Sequence, residues 1–372
     1  MIPKLIIADS EHNSNMFYAV GMLIPDDFVY LENNGKKIIY IDDLEYNRVK
    51  KEAKVDRVVC YSEYASGVDR DSFGNILTTI LKDNKIKKVQ VPGDFNMKYA
   101  KILLDDKIGI EVCEYIFQNR EYKNNNEIEK IVEVQRVNEK VLNFVIEIIR
   151  KSRVRKDGKL SQKNKILTSE FIKNAINIEF LKNNCISDSD LSLIVSCGKD
   201  SADPHEEGRG PIFANKPIII DLSPKSRTNR YYADMTRTIV KGKASLEMKK
   251  MYNAVLGAQT LALGEIKEGM RADSIHKKVQ DYFESKGFKT EEKNGKIQGF
   301  FHSTGHGVGL DIHESPRINL NYKKKLKAGN VVTVEPGLYY PEIGGVRIED
   351  LVVVTKTGCK NLTKFPKFLE IK

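Results

Sequence analysis

The chain has 372 residues, enough for two domains with a core each, and its 41% apolar and 30% charged composition is that of an ordinary globular protein. A net charge of +10 raises the question of an acidic partner, but basic and acidic residues alternate along most of the chain. Only 150–159 and 323–327 are densely basic, without interleaved aromatics, so the charge is read as a solvated surface and not as a nucleic-acid site.

The five cysteines are scattered, odd in number and never spaced C-x-x-C, which argues against a disulfide framework and a thiolate zinc site. They fit a reducing cytosol. The first nine residues lack the apolar core and cleavage site of a signal peptide, and no run approaches the roughly 18 apolar residues of a membrane helix. A cytoplasmic protein with no membrane partner is expected.

From residue 1 to about 120, short apolar runs alternate with charged helical stretches. Residues 28–31 and 37–41 read as strands around the turn Glu32-Asn33-Asn34-Gly35, 44–54 as a helix and 57–61 as a strand. A helix over 73–84 and a strand over 88–91 follow. The alternation predicts a small α/β domain, with no acid–base cluster in it. The polar stretch 119–126 reads as a linker, and the boundary is set at 121/122.

Asn126 with Glu129 in the first turn is expected to start a helix that runs, on its apolar spacing, to Arg150. A second helix is expected over 168–183, then strands over 191–197, 217–222 and 230–241. Helices over 245–268, closed by Gly269, and over 272–286 precede strands at 330–335 and 346–355. His12 and His276 are read as surface residues.

Residues two apart on a strand share a face. Asp221 ends an otherwise buried run, Asp234 shares a face with Thr236, Glu335 with Thr333, and Glu349 with Arg347. A strand-end acid in water or in an ion pair accounts for any one of these. Four in one sheet need a common cation, because buried unpaired carboxylates are costly. His306, flanked by glycines within His302-Ser303-Thr304-Gly305-His306-Gly307, supplies an imidazole. Such an oxygen-rich set with one nitrogen suits Mn, Fe, Co or Zn, and four carboxylates carry enough charge for two bridged divalent ions. Thr236 and Thr333 either orient carboxylates or simply favour strand.

The C-terminal 250 residues resemble the creatinase/methionine aminopeptidase superfamily, the pita-bread metallopeptidases. The motifs are Pro204-His205-Glu206-Glu207-Gly208, Ile220-Asp221-Leu222, Ala233-Asp234-Met235-Thr236-Arg237-Thr238, the run from His302 to Glu314, Thr333-Val334-Glu335-Pro336-Gly337 and Gly345-Val346-Arg347-Ile348-Glu349-Asp350. Residues 15–21 resemble a creatinase-type N-domain, which points to the prolidase and aminopeptidase P branch. The resemblance implies an α+β fold, with a smaller N-terminal α/β domain at 1–121 and a C-terminal pita-bread catalytic domain at 122–372.

It further implies an enzyme that hydrolyses Xaa-Pro bonds at the N-terminus of di- or oligopeptides, with a hydroxide held between two divalent ions (Mn, Co, Fe or Zn, with Mn or Co favoured). Asp221 would bind one ion, Asp234 and Glu349 both, and His306 and Glu335 the other. Glu335 would also carry a proton to the leaving amine. His205 would contact the scissile amide, His313 would stabilise the tetrahedral intermediate, His302 would shape the proline pocket, and Arg347 would support the site. A homodimer is implied as well. The alternatives are a catalytically inactive binding module and a methionine aminopeptidase.

The chain departs from the pattern in one place. Asp221 and Asp234 stand thirteen residues apart, where the family usually has eleven, and Arg230 stands where a glycine commonly precedes the aromatic. Two extra residues preserve strand parity.

Overall fold

The computed structural model describes residues 2–64, 73–188 and 193–372, and the first two residues of the strand expected at 191–197 lie outside these. The chain divides into two compact units, Met1–Gln118 and Asn119–Lys372, where the sequence reading put the division at 121/122.

The first unit is built on a six-stranded sheet in the spatial order Arg57–Cys60, Lys36–Ile41, Phe28–Asn33, Lys4–Ala8, Lys88–Pro92, Gly109–Cys113. Its three central strands are antiparallel and its outer pairings parallel. Strand alternation gives it two apolar faces. Leu5 and Ile7 pack with Leu77, Ile80 and Leu103 from the helices Phe73–Asp83 and Met97–Asp105. Ile6 packs on the other face with Met16, Val20 and Val49 from Ser14–Val20 and Asp43–Glu52. This is an α/β layer arrangement.

The second unit opens with the helix Asn125–Arg150. Its cap is Asn124, two residues before the expected Asn126, because Asn124 and Glu127 close a reciprocal capping box that satisfies two free N–H groups. This helix and Ser169–Lys182 cover a four-stranded sheet ordered Leu193–Cys197, Pro217–Leu222, Met235–Lys241, Glu370–Ile371. The helices Leu246–Glu265 and Ala272–Ser285 cover a five-stranded sheet ordered Glu314–Ile318, Gly305–Gly307, Val331–Val334, Asp350–Val354, Cys359–Asn361. A two-stranded ribbon, Gly337–Tyr340 with Gly344–Arg347, also belongs to this unit. Among the described residues no helix is long and apolar enough to cross a membrane.

Several expected elements are corrected. The strand predicted from Arg230 begins only at Met235, and Arg230 itself has φ 65, a left-handed value that no strand accommodates. A glycine would take that value without strain, which gives a physical reason for the family's preference there. The strand predicted over 346–355 is two strands in different sheets, Gly344–Arg347 and Asp350–Val354, broken at Ile348 and Glu349. The helix predicted over 245–268 is Leu246–Glu265, capped by Ile266, and Gly269 lies in the turn beyond, bonded to Leu326 O. His276 is buried, not exposed. It shares the inner stripe of its helix with Ala272, Ile275, Val279 and Phe283, and its Nδ1 lies 2.9 Å from Thr304 Oγ1. Charge averaged over the whole helix had hidden that stripe.

Candidate metal centre

One rule places every acid of the site. On the strand that carries or adjoins each one, the apolar residues of one parity pack under the covering helices and those of the other parity face inward. Ile218, Ile220 and Leu222 belong to the core under the helices, while Ile219 packs against Tyr339 on the face that carries Asp221. Met235 likewise faces helices, leaving Asp234 and Thr236 opposite. Val332 and Val334 leave Thr333 and Glu335 inward, and Val346 and Ile348 leave Arg347 and Glu349 inward. The parity of the last pair survives the strand break.

The thirteen-residue step between the aspartates is absorbed outside the ladder. Asp221 pairs with Thr236 and Leu222 with Met235, so Asp234 continues on the Asp221 face and the extra residues form the excursion 223–234. At the far side of the site, the antiparallel register ends at Val334 with Asp350. One step further would set Glu335 opposite Glu349, a like-charge cross-strand pair that is unfavourable without a cation.

His306 sits on the short strand Gly305–Gly307, clamped between neighbours. A Cβ at position 305 would lie 2.0 Å from Thr333 O, and one at 307 would lie 2.4 Å from Ser315 O. Only glycine permits such approach. His306 Nδ1 lies 3.2 Å from Gly307 O, and since a carbonyl only accepts, Nδ1 carries the proton. The unprotonated Nε2 points at Glu335 Oε1 at 3.3 Å and Asp234 Oδ2 at 3.6 Å.

One ligand atom each from Asp234, His306 and Glu349 lies within 4.8 Å of the others. Asp221 and Glu335 line the same cavity of about 440 Å³, together with His205, His302, His313 and Arg347, so all nine expected site residues meet there. The threonines orient the glutamates: Thr236 Oγ1 donates to Glu349 at 2.7 Å and Thr333 Oγ1 to Glu335 at 3.1 Å.

Arg347 is the buried cation of the site. Its Nη2 donates to Asp221 Oδ2 at 2.6 Å, which leaves the second Asp221 oxygen for another partner, and its Nη1 donates to Tyr339 Oη at 2.7 Å. Tyr339 in turn bonds His302 Nε2 at 2.9 Å, while His302 Nδ1 meets Ser303 O at 2.8 Å. His302 is therefore an acceptor held in place, not a free base. His313 packs edge-on against His306, with ring centroids 4.4 Å apart, and His205 is exposed at the cavity rim.

Sequence reasoning missed Tyr339, which stands three residues beyond Pro336 on a strand of its own. It also missed Arg317, which lines the cavity as the cross-strand partner of His306. Only the sheet register reveals that pairing. Among the described residues Arg317 forms no ion pair.

The electrostatics fit a divalent cation. Burial, then the charges of Asp221 and Glu335, hold Asp234 well above the usual carboxylate range. Burial, then Asp234, Glu335 and Asp221, do the same to Glu349. Burial also raises Glu335, against the opposing pull of Arg347. With Arg347, among the described residues, the one buried guanidinium lining the cavity with so many acids, protons take the role a metal would fill. Neutral imidazole completes the donor set, since burial drives His306 down to about 3.

These shifts predict a stability profile. Metal-free folded protein holds protons on Asp234, Glu335 and Glu349 that the unfolded chain releases above about pH 4.5. The folded state binds more protons, so stability falls as pH rises through the raised values. Buried His302 and His306, both lowered to about 3, act in the opposite sense, but only below the ordinary histidine value of about 6.5. Between about pH 6.5 and 8 the carboxylates dominate. EDTA-stripped protein is expected to lose thermal stability over that interval, and Mn2+ to remove the loss. A stripped protein with a flat or rising Tm there would contradict the protonated-carboxylate picture.

The family model "Metallopeptidase family M24" matches residues 129–356. The chain belongs to metallopeptidase family M24. An M24 chain uses divalent metal, and the Asp234, His306 and Glu349 group is a fitting place for it. This M24 chain is 30% identical to an Xaa-Pro dipeptidase of Pyrococcus furiosus over 353 residues, 94% of this chain and 91% of the other. Its fold is the pita-bread fold. It superposes on an Xaa-Pro dipeptidase of Bacillus anthracis with a TM-score of 0.83 at 26% identity, covering 100% of this chain and 95% of that one. For the prolidase of Pyrococcus furiosus the values are 0.80 and 26%, covering 99% and 97%.

Proposed function

We propose that this M24 metallopeptidase is an exopeptidase that hydrolyses the bond between an N-terminal residue and proline, acting on dipeptides. The observation that carries the reading is the convergence of Asp221, Asp234, His306, Glu335 and Glu349 on one cavity, in a chain whose relatives include Xaa-Pro dipeptidases. Those five residues would hold two divalent ions, Mn or Co before Fe or Zn. Such ions supply Lewis acidity, lowering the pKa of a water and polarising the scissile carbonyl.

The protein's own groups do the rest. Glu335, held by Thr333, would accept a proton from the attacking water and pass it to the proline nitrogen as the C–N bond breaks. His313, packed edge-on against His306 and lowered in pKa by desolvation and by Arg317, donates a hydrogen bond to the oxyanion. His205, at the rim, contacts the scissile amide. His302, fixed by Tyr339 and Ser303, forms a wall for the proline ring. Arg347 holds Asp221 in register with the other acids.

Arg317 favours dipeptides over longer peptides, because it is a cavity-lining cation without an ion-pair partner among the described residues. A dipeptide's terminal carboxylate supplies that partner; an extended peptide has its carboxylate elsewhere. Wild-type protein with Mn2+ is expected to cleave Ala-Pro faster than Ala-Pro-Ala and to leave Met-Ala-Ser intact. Arg317→Leu is expected to raise KM for Ala-Pro by about 10–100-fold, the worth of a hydrogen bond to a charged group. Faster cleavage of Ala-Pro-Ala would favour an aminopeptidase P, cleavage of Met-Ala-Ser alone a methionine aminopeptidase, and no cleavage with no Mn2+ uptake an inactive binding module. The five free cysteines fit a cytosolic setting. A homodimer completes the reading and is checked by sedimentation.

A further inference from the structure

Beyond Val334 and Asp350 the two strands part. Glu335 N–H donates to Thr304 O at 2.8 Å, while Glu349 N–H donates to Thr236 O at 3.1 Å. Backbone groups at such a parting need substitutes for ladder partners. One side chain supplies them to both strands. Gln259, fully buried on the helix Leu246–Glu265, donates from Nε2 to Val334 O at 2.9 Å and to Ile348 O at 3.1 Å. These are the residues immediately before Glu335 and Glu349. The Gln259 Oε1 has no hydrogen-bond partner among the described residues. A buried unpaired carbonyl oxygen is unfavourable, so what this position uses is the pair of donors.

We propose that Gln259 is a positioning residue of the metal centre, its one amide group fixing the spacing of the two backbones that present Glu335 and Glu349. It touches neither substrate nor metal and acts through the two carbonyls. The inference rests on the metal-centre reading, and the alternative is that Gln259 only contributes to packing. Gln259→Met keeps the length and removes both donors. Val255→Ala is the packing control, since Val255 is fully buried one turn earlier on the same helix and in the same core.

Stripped wild type, Gln259→Met and Val255→Ala are titrated with Mn2+ by calorimetry, with Tm measured on each. Both variants are expected to lose thermal stability. Only Gln259→Met is expected to bind Mn2+ more weakly, by roughly 10–100-fold, the range found when groups that orient metal ligands are removed. If Gln259→Met fails to fold, Gln259→Asn takes its place, because it keeps the amide but is too short to reach both carbonyls, and the same loss is expected. Equal Mn2+ affinity in wild type and the Gln259 variant, or an equal loss in Val255→Ala, overturns the proposal and leaves the metal-centre reading intact. Absence of Mn2+ binding by wild type overturns both.

Discussion

Glu335→Gln protein, assayed on Ala-Pro at saturating Mn2+, is expected to lose activity by about 10²–10⁴-fold, the usual contribution of a positioned acid–base group. The substitution keeps the volume and an oxygen but removes the ability to accept a proton. Glu335 is suited to that role by its surroundings. It lines the cavity partly buried, and Thr333 Oγ1 holds one of its oxygens at 3.1 Å. It also faces His306 Nε2 at 3.3 Å, so part of the loss can come from weaker metal binding. Mn2+ titration of the variant separates the two contributions. If activity stays within a few-fold of wild type once Mn2+ saturates, Glu335 does not carry the proton.

The second large effect is on stability and comes from a residue that touches no ligand. Arg237 is 1% exposed, and its guanidinium donates to the carbonyls of Thr236, Glu349, Phe365 and Pro366 and to Asp350 Oδ1 at 2.8 Å. Asp350 is itself 1% exposed and also receives Lys367. Arg237→Met leaves Asp350 short of a partner and takes a donor from four carbonyls, of which Thr236 O keeps the Glu349 N–H. Breaking one side of a buried ion pair costs about 3–5 kcal/mol, and a loss of that size is expected in the urea unfolding free energy of the stripped protein. A change under about 1 kcal/mol, the surface ion-pair range, would mean that water enters freely at this position. Because Arg237 holds both Thr236 and Glu349 by their backbones, the same variant is expected to weaken Mn2+ binding.

These two residues mark the boundary of what a linear reading reaches. Glu335 was legible because its neighbours alternate: Val332 and Val334 demand one face, so Thr333 and Glu335 must take the other. The same argument holds for Asp221, Asp234 and Glu349, and the strand period of two is a local property of the backbone. His306 was legible from its flanking glycines, which the structure explains by the approach of Thr333 and Ser315. Four of the six N-terminal strands were legible from their apolar runs between turns, whereas Lys4–Ala8 and Gly109–Cys113 were not.

Arg237, Gln259, Tyr339 and Arg317 were not legible as parts of one device. Gln259 is a polar residue in a helix, and nothing in its neighbours says that it faces two carbonyls more than seventy residues away. His276 was misread for a related reason, since a helix that is charged on average can still bury one stripe. The break at Ile348 and Glu349 escaped because apolar alternation runs straight through it. Parity is set by the chain's own geometry, whereas the partner that a strand takes depends on long-range register. Alternation and spacing along the chain indicated which acids face inward, which imidazole joins them and that such a set suits a cation. The folded chain alone fixes that Arg347 engages Asp221 and that the strands part at the two glutamates. It alone also decided which buried donors take up the backbone carbonyls exposed there, because each of those outcomes is a pairing between segments far apart in the chain.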